Sequence, residues 1–188
     1  MDDRTPGIRP QQSLWRRLDL AARHGFPALS TIVLLLVATA PLGLPGQAQL
    51  QQALTLCAVY FWSLFRPVAM SAPVVFVIGM LADLLGLEPV GVSVFVLLAA
   101  HGMALRWRRP LVRQQDGERQ GLLAMWAAFV PVALFAAAAP WALTSLILFT
   151  LLPPAPVLFQ FVLSVALYPA FSGLFTYAHR GVANPESA

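Results

Sequence analysis

Few residues in the apolar stretches of this chain could do chemistry, and each stands nearly alone. Asp83 lies in the run Val74–Leu87, about one turn from its end. A carboxylate at the centre of a bilayer costs roughly 2.5–3.5 kcal/mol, and less near the interface. Two roles compete for Asp83. It is either an ion- or proton-coupling carboxylate or a structural, partner-binding acid hydrogen-bonded to nearby backbone, and the absence of a second acid or base at similar depth favours the latter. His101, beside Gly102, is expected to bond a backbone carbonyl rather than relay protons. The lone Cys57 reads as a small buried apolar side chain. The sequence contains no His/Cys/Glu cluster at metal-ligand spacing, no nucleophile elbow and no Walker loop, and its serines and threonines stand without a partner base. Neither an enzyme nor a cofactor is expected.

The elements that must position these residues follow from composition. Of 188 residues, 59% are apolar and 11% charged, too few charges to cover a soluble globule, which carries about 25%. The chain reads as an all-α, polytopic integral membrane protein of six transmembrane helices. Residues 1–25 form a cytoplasmic N-terminal segment. Within it, Leu14, Trp15, Leu18, Ala21 and Ala22 share a face opposite Arg16, Arg17 and Arg23, as in a short cationic amphipathic helix; an irregular basic segment is the equal alternative. The membrane domain covers 26–178, with spans at about 27–44, 50–65, 72–87, 90–105, 122–139 and 155–177, and 179–188 is a cytoplasmic tail. The first span resembles a signal peptide, but the mostly apolar chain beyond it favours an uncleaved helix. Pro67, Pro89 and Pro110 mark turns, and Pro140–Pro154 reads as an outer connection lying in the interface. Trp15, Trp62, Trp107, Trp126 and Trp141 are expected mostly near span ends, and Tyr168-Pro169 is expected to bend the sixth span.

All twelve basic residues are arginines. With the N-terminus inside, Arg4, Arg9, Arg16, Arg17, Arg23, Arg66, Arg106, Arg108, Arg109, Arg113, Arg119 and Arg180 all fall on inner segments. The three outer connections then carry none, as the positive-inside rule requires. These arginines are topogenic anchors for anionic lipid at the inner face, not a nucleic-acid surface. Arg66 anchors an inner helix end, its stem free to snorkel. Gly79, four residues before Asp83 and on the same helical face, permits close approach of another helix. Glu88, Pro89 and Gly91 form a tight outer turn.

The order Tyr60-Phe61-Trp62, Arg66-Pro67, Phe76-x-x-Gly79-x-x-x-Asp83-Leu84-Leu85, Pro89-x-Gly91 resembles the central hairpin of the MreD family, small membrane subunits of the bacterial rod-shape or elongation machinery. That stretch covers about a fifth of the chain; the remainder agrees in length, hydropathy, basic N-terminus and the late Tyr168-Pro169 pair. One departure is Gln47–Gln52, where members carry a Pro-containing start to the second helix. The resemblance implies a non-enzymatic scaffold in the inner membrane, with partner-binding or structural roles for Arg66, Pro67, Gly79, Asp83, Pro89 and Gly91. It implies an MreC-like single-span partner, and through it MreB, a RodA-type polymerase and a penicillin-binding transpeptidase. The family is also similar in fold to the substrate-binding subunits of energy-coupling-factor transporters. The alternative reading is therefore a subunit that binds a small molecule such as a vitamin. Such a subunit would need an outward-opening pocket lined by several hydrogen-bonding residues.

Overall fold

The computed structural model describes residues 14–40, 43, 45–86, 89–113 and 118–183, with side chains placed within 25–109 and 123–173. These residues form six α-helices and no strand: α1 (Leu14–Thr39), α2 (Gln47–Phe65), α3 (Ala72–Gly86), α4 (Val92–Arg113), α5 (Glu118–Leu148) and α6 (Ala155–Ala183). Glu88, most of residues 1–25 other than the backbone of α1, and the end of the tail lie outside the described residues.

Helix α2 is the centre of the bundle. It packs against α1, α4 and α6, and α3 is held mainly by α4 and α1. Every residue from Thr55 to Leu64 is buried, consistent with a helix apolar on all sides and covered on all sides. Tyr60 sits at the hub of an aromatic cluster. Its ring lies 5.0 Å from Phe129 and 5.6 Å from Tyr168, and Phe129 and Tyr168 stack at 4.4 Å.

Among the described residues, two stretches are long and apolar enough to cross a membrane: Leu123–Leu148 and Ala155–Gly173, with mean hydropathy 1.9 and 1.6. Gly25–Thr39 and Ala72–Gly86 are shorter apolar helices. The 15 residues of α3 rise about 22 Å, short of a hydrocarbon core of about 30 Å. Helix α2 begins with four glutamines and α4 ends in a basic stretch, which lowers the hydropathy of both.

Helix boundaries depart from the sequence expectation in three places. The N-terminal basic segment and the first span form one helix, which passes through Pro27 and stops at Thr39. Helix α4 runs on through its arginines to Arg113, because arginine is a good helix former. Most notably, 140–148 is no separate interfacial element: α5 continues through Pro131 and Pro140 to Leu148. Proline costs a helix one hydrogen bond and a clash, and tertiary packing on both sides holds the helix together. The turn that follows is drawn back onto α5. Trp141 donates its Nε1–H to the Leu152 carbonyl at 3.0 Å, and Phe149 adopts φ 50°.

Trp62 is also placed differently. It is buried in the core, edge-on to Phe26 at 5.7 Å, whereas Trp126 reaches across to donate to the Val165 carbonyl of α6.

Candidate functional site

The turn between α3 and α4 is built around Asp83. A helix begins with backbone N–H groups that have no intrahelical acceptor. At the start of α4 a neighbouring helix supplies acceptors: Gly91 N–H donates to Asp83 Oδ2 at 2.7 Å and Ser93 N–H to Oδ1 at 2.8 Å. Both carboxylate oxygens are thus engaged, and Asp83 is 1% exposed. A negative group at a helix N-terminus is also favoured by the helix dipole. Gly91 has φ 102°, a conformation that costs any residue with a Cβ. Pro89 accepts the Val92 N–H through its carbonyl at 3.2 Å, and Gly91's carbonyl starts α4 by accepting from Phe95 at 2.9 Å.

One turn down from Asp83, Gly79 meets α4. A Cβ there would lie 2.6 Å from the Val94 Cα and 3.0 Å from its backbone nitrogen. Two backbones touch at this point, which a missing side chain alone allows. Gly79, Asp83, Pro89 and Gly91 therefore act together as one clamp on the α3–α4 hairpin.

Arg66 and Pro67 lie at the opposite end of the bundle. Arg66 terminates α2, its N–H donating to the Trp62 carbonyl at 2.7 Å, and its own carbonyl accepts from Ala69 and Met70 at 3.1 and 3.0 Å. Pro67, lacking an N–H, turns the chain away from the helix. Arg108 of α4 donates from Nε to the Leu64 carbonyl at 2.8 Å. With Arg66 it lines a cleft of about 270 Å³, together with Phe65, Pro67, Val68 and Ala69.

Two further polar features go beyond the sequence expectation. His101 meets not a backbone carbonyl but the hydroxyl of Ser63, with Nδ1 and Oγ 2.7 Å apart; Ser63 is 38 residues away in sequence. Ser63 gives its one hydroxyl hydrogen to the Val59 carbonyl at 2.6 Å, so it accepts the Nδ1–H of His101, and the imidazole is no base toward it. Ser63 is 0% exposed, so no acyl group can reach its Oγ while the helices stay packed. The pair ties α2 to α4. Cys57 is buried and in no disulfide, its Sγ 3.7 Å from the Ser164 carbonyl.

The second is a cavity at the Asp83 end, enclosed by α2, α3, α4, α5 and α6. Its polar lining comes from Gln51, Gln52, Thr55, Ser93 and Gln160. Glutamines at the start of α2 signal polarity at this end, but nothing in the pattern pairs Gln51 with Gln160, which are separated by most of the chain. Gln47, nearby, is occupied elsewhere, its amide donating to the Ala38 and Ala40 carbonyls at the end of α1. Among the described residues, no three His, Cys, Asp or Glu side chains are close enough to hold a metal ion.

The chain matches no protein-family model, no curated protein and no solved structure.

Proposed function

We propose that this chain is a membrane scaffold of the MreD type, six helices crossing the bacterial inner membrane with both termini in the cytoplasm. It would hold an MreC-like single-span partner and help couple MreB outside the bilayer to a RodA-type polymerase and a penicillin-binding transpeptidase. The observation that carries this reading is the role of the residues on which the resemblance rests. Arg66, Pro67, Gly79, Asp83, Pro89 and Gly91 build two turns and one close helix contact. None of them points to bond-breaking chemistry, which is what a scaffold would need of its signature residues.

Two other features support it. Large apolar side chains stand exposed along several helices, among them Leu29, Val33, Leu36 and Val37 on α1 and Phe76, Val77 and Leu84 on α3. Lipid or a partner helix would cover them at no cost, whereas water would not. At the end of the bundle away from Asp83, Arg66 and Arg108 flank a cleft suited to anionic headgroups.

The alternative, a small-molecule transport subunit, draws support from the glutamine-lined cavity. Its volume of about 40 Å³ is far below the 300–1,000 Å³ or so of pockets that enclose a whole cofactor-sized ligand. The scaffold is the better reading.

Reporter fusions after Gln47, Glu88 and Pro154 are expected to read periplasmic, and fusions after Arg113 and at the C-terminus cytoplasmic. A periplasmic signal from the Arg113 fusion overturns the six-span topology. Purification in mild detergent is expected to bring down a bitopic MreC-like protein; recovery of an ATP-driven transport module instead would overturn the scaffold.

A further inference from the structure

The cavity at the Asp83 end contains two side chains whose state the scaffold role leaves unexplained. Gln51 is 7% exposed and Gln160 8%, and both line the cavity. Their backbone carbonyls are engaged, by Thr55 Oγ1–H and Ser164 Oγ–H respectively, each at 2.8 Å. Their side-chain carboxamides have no hydrogen-bond partner among the described residues. Each carboxamide offers two donors and an acceptor oxygen. Both carboxamides face the open space of the cavity rather than sealed protein interior, and in native proteins such groups are met by a water or a ligand.

A backbone carbonyl on the cavity wall also lacks its usual helical donor. Pro140 has no N–H, so the helical bond it would make to the carbonyl of Ala136 is missing, and both residues line the cavity. The rest of the wall is apolar, from Leu56, Ala82, Val96 and Leu97. Few convergent polar groups set in an apolar wall is the arrangement of a ligand site. No charged side chain belongs to the lining, so an ion would enter uncompensated, at a large desolvation cost.

We infer that this cavity binds an uncharged polar group of carboxamide or urea type, held between the side chains of Gln51 and Gln160. A water needs roughly 10–15 Å³ of such space, so about 40 Å³ admits about three water-sized units, the bulk of a primary carboxamide. A larger molecule would insert only this end group and leave its remainder outside, past the exposed Ala48. The inference does not depend on the scaffold reading: an end-group site fits a scaffold that senses a soluble molecule as well as it fits a carrier.

The test uses the full chain in detergent micelles, with side-chain amide resonances of glutamine followed by NMR. Acetamide is the probe and acetate its charged isostere. Acetamide is expected to shift the Gln51 and Gln160 side-chain signals saturably and in parallel, while Gln47, tied to α1, stays still. Acetate is expected to leave all three unmoved. In Gln160→Leu the affinity for acetamide, read at Gln51, should fall at least ten-fold, with the thermal midpoint unchanged or raised because an unmatched amide has been removed. Gln51→Leu, read at Gln160, provides the same measurement should the first variant fail to accumulate. Non-saturating drift shared by Gln47 would mean that the cavity holds only water, and an equal response to acetate would mean that it does not select neutral groups. Either result overturns the inference.

Discussion

Two polar clusters lie side by side at one end of the bundle, and they are finished to different degrees. Around Asp83 both carboxylate oxygens receive a backbone N–H, at 2.7 and 2.8 Å. A few ångströms along the same helix end, Ser93 borders a cavity in which the carboxamides of Gln51 and Gln160 meet no protein partner among the described residues. A fully matched polar group inside an apolar bundle fixes geometry; an unmatched one costs stability and is explained by something that arrives later. Burial alone does not separate the two, since all three side chains are more than nine-tenths buried. Their hydrogen bonds do.

The largest effect is expected where matching is complete. Asp83→Leu strands the N–H groups of Gly91 and Ser93, at about 1–3 kcal/mol for each, and should lower unfolding stability in mixed detergent micelles and weaken capture of the partner. The same leucine at Gln51 should leave stability unchanged or raised. If both substitutions destabilise alike, the contrast between the clusters fails. Next is Gly79→Leu, which drives a side chain into the Val94 backbone and should cost about 1–3 kcal/mol or more. Val77, about 200° around the helix and 52% exposed, is the control: Val77→Leu should stay within about 0.5 kcal/mol. Equal tolerance at both positions would remove the close contact from the account. Asp83→Asn should be mildest, costing about 1 kcal/mol, because one acceptor oxygen remains while the other site presents an N–H to an N–H. Loss of cell shape with Asn as severe as with Leu, in protein that accumulates normally, would show that the charge itself is needed.

How much of this was legible in the sequence depended on distance along the chain. Gly79 and Asp83 are four residues apart on a helix, so local spacing put them on one face, and Pro89 and Gly91 marked a tight turn; that Gly91 donates its N–H to Asp83 was visible only in the structure. The helical class and the central turns were readable from hydropathy and proline for the same reason. Ser63 with His101, Gln51 with Gln160, and Arg108 with Leu64 join different helices, and no periodicity encodes which faces will meet. Pro140 misled because its intrinsic preference is to stop a helix; packing of α5 against α4 and α6 outweighed that preference. Trp62 misled similarly: its place near the end of α2 suggested an interface, but α2 is enclosed on all sides.

The Asp83 clamp also bears on the order in which the molecule comes into being. Its hydrogen bonds span only 8 and 10 residues, so the loop that must close is short and its entropic cost small. The Asp83 turn can therefore close during synthesis once Ser93 has emerged, and the α3–α4 hairpin once α4 has followed, while α5 and α6 are still unmade. Contacts such as Cys57 with Ser164, 107 residues apart, must wait for the last helix. The glutamine cavity, which takes Gln160 from α6, is closed only at that final step. A chain stalled or truncated before α6 would keep its clamped hairpin and have no cavity, making the cavity a marker of completed assembly.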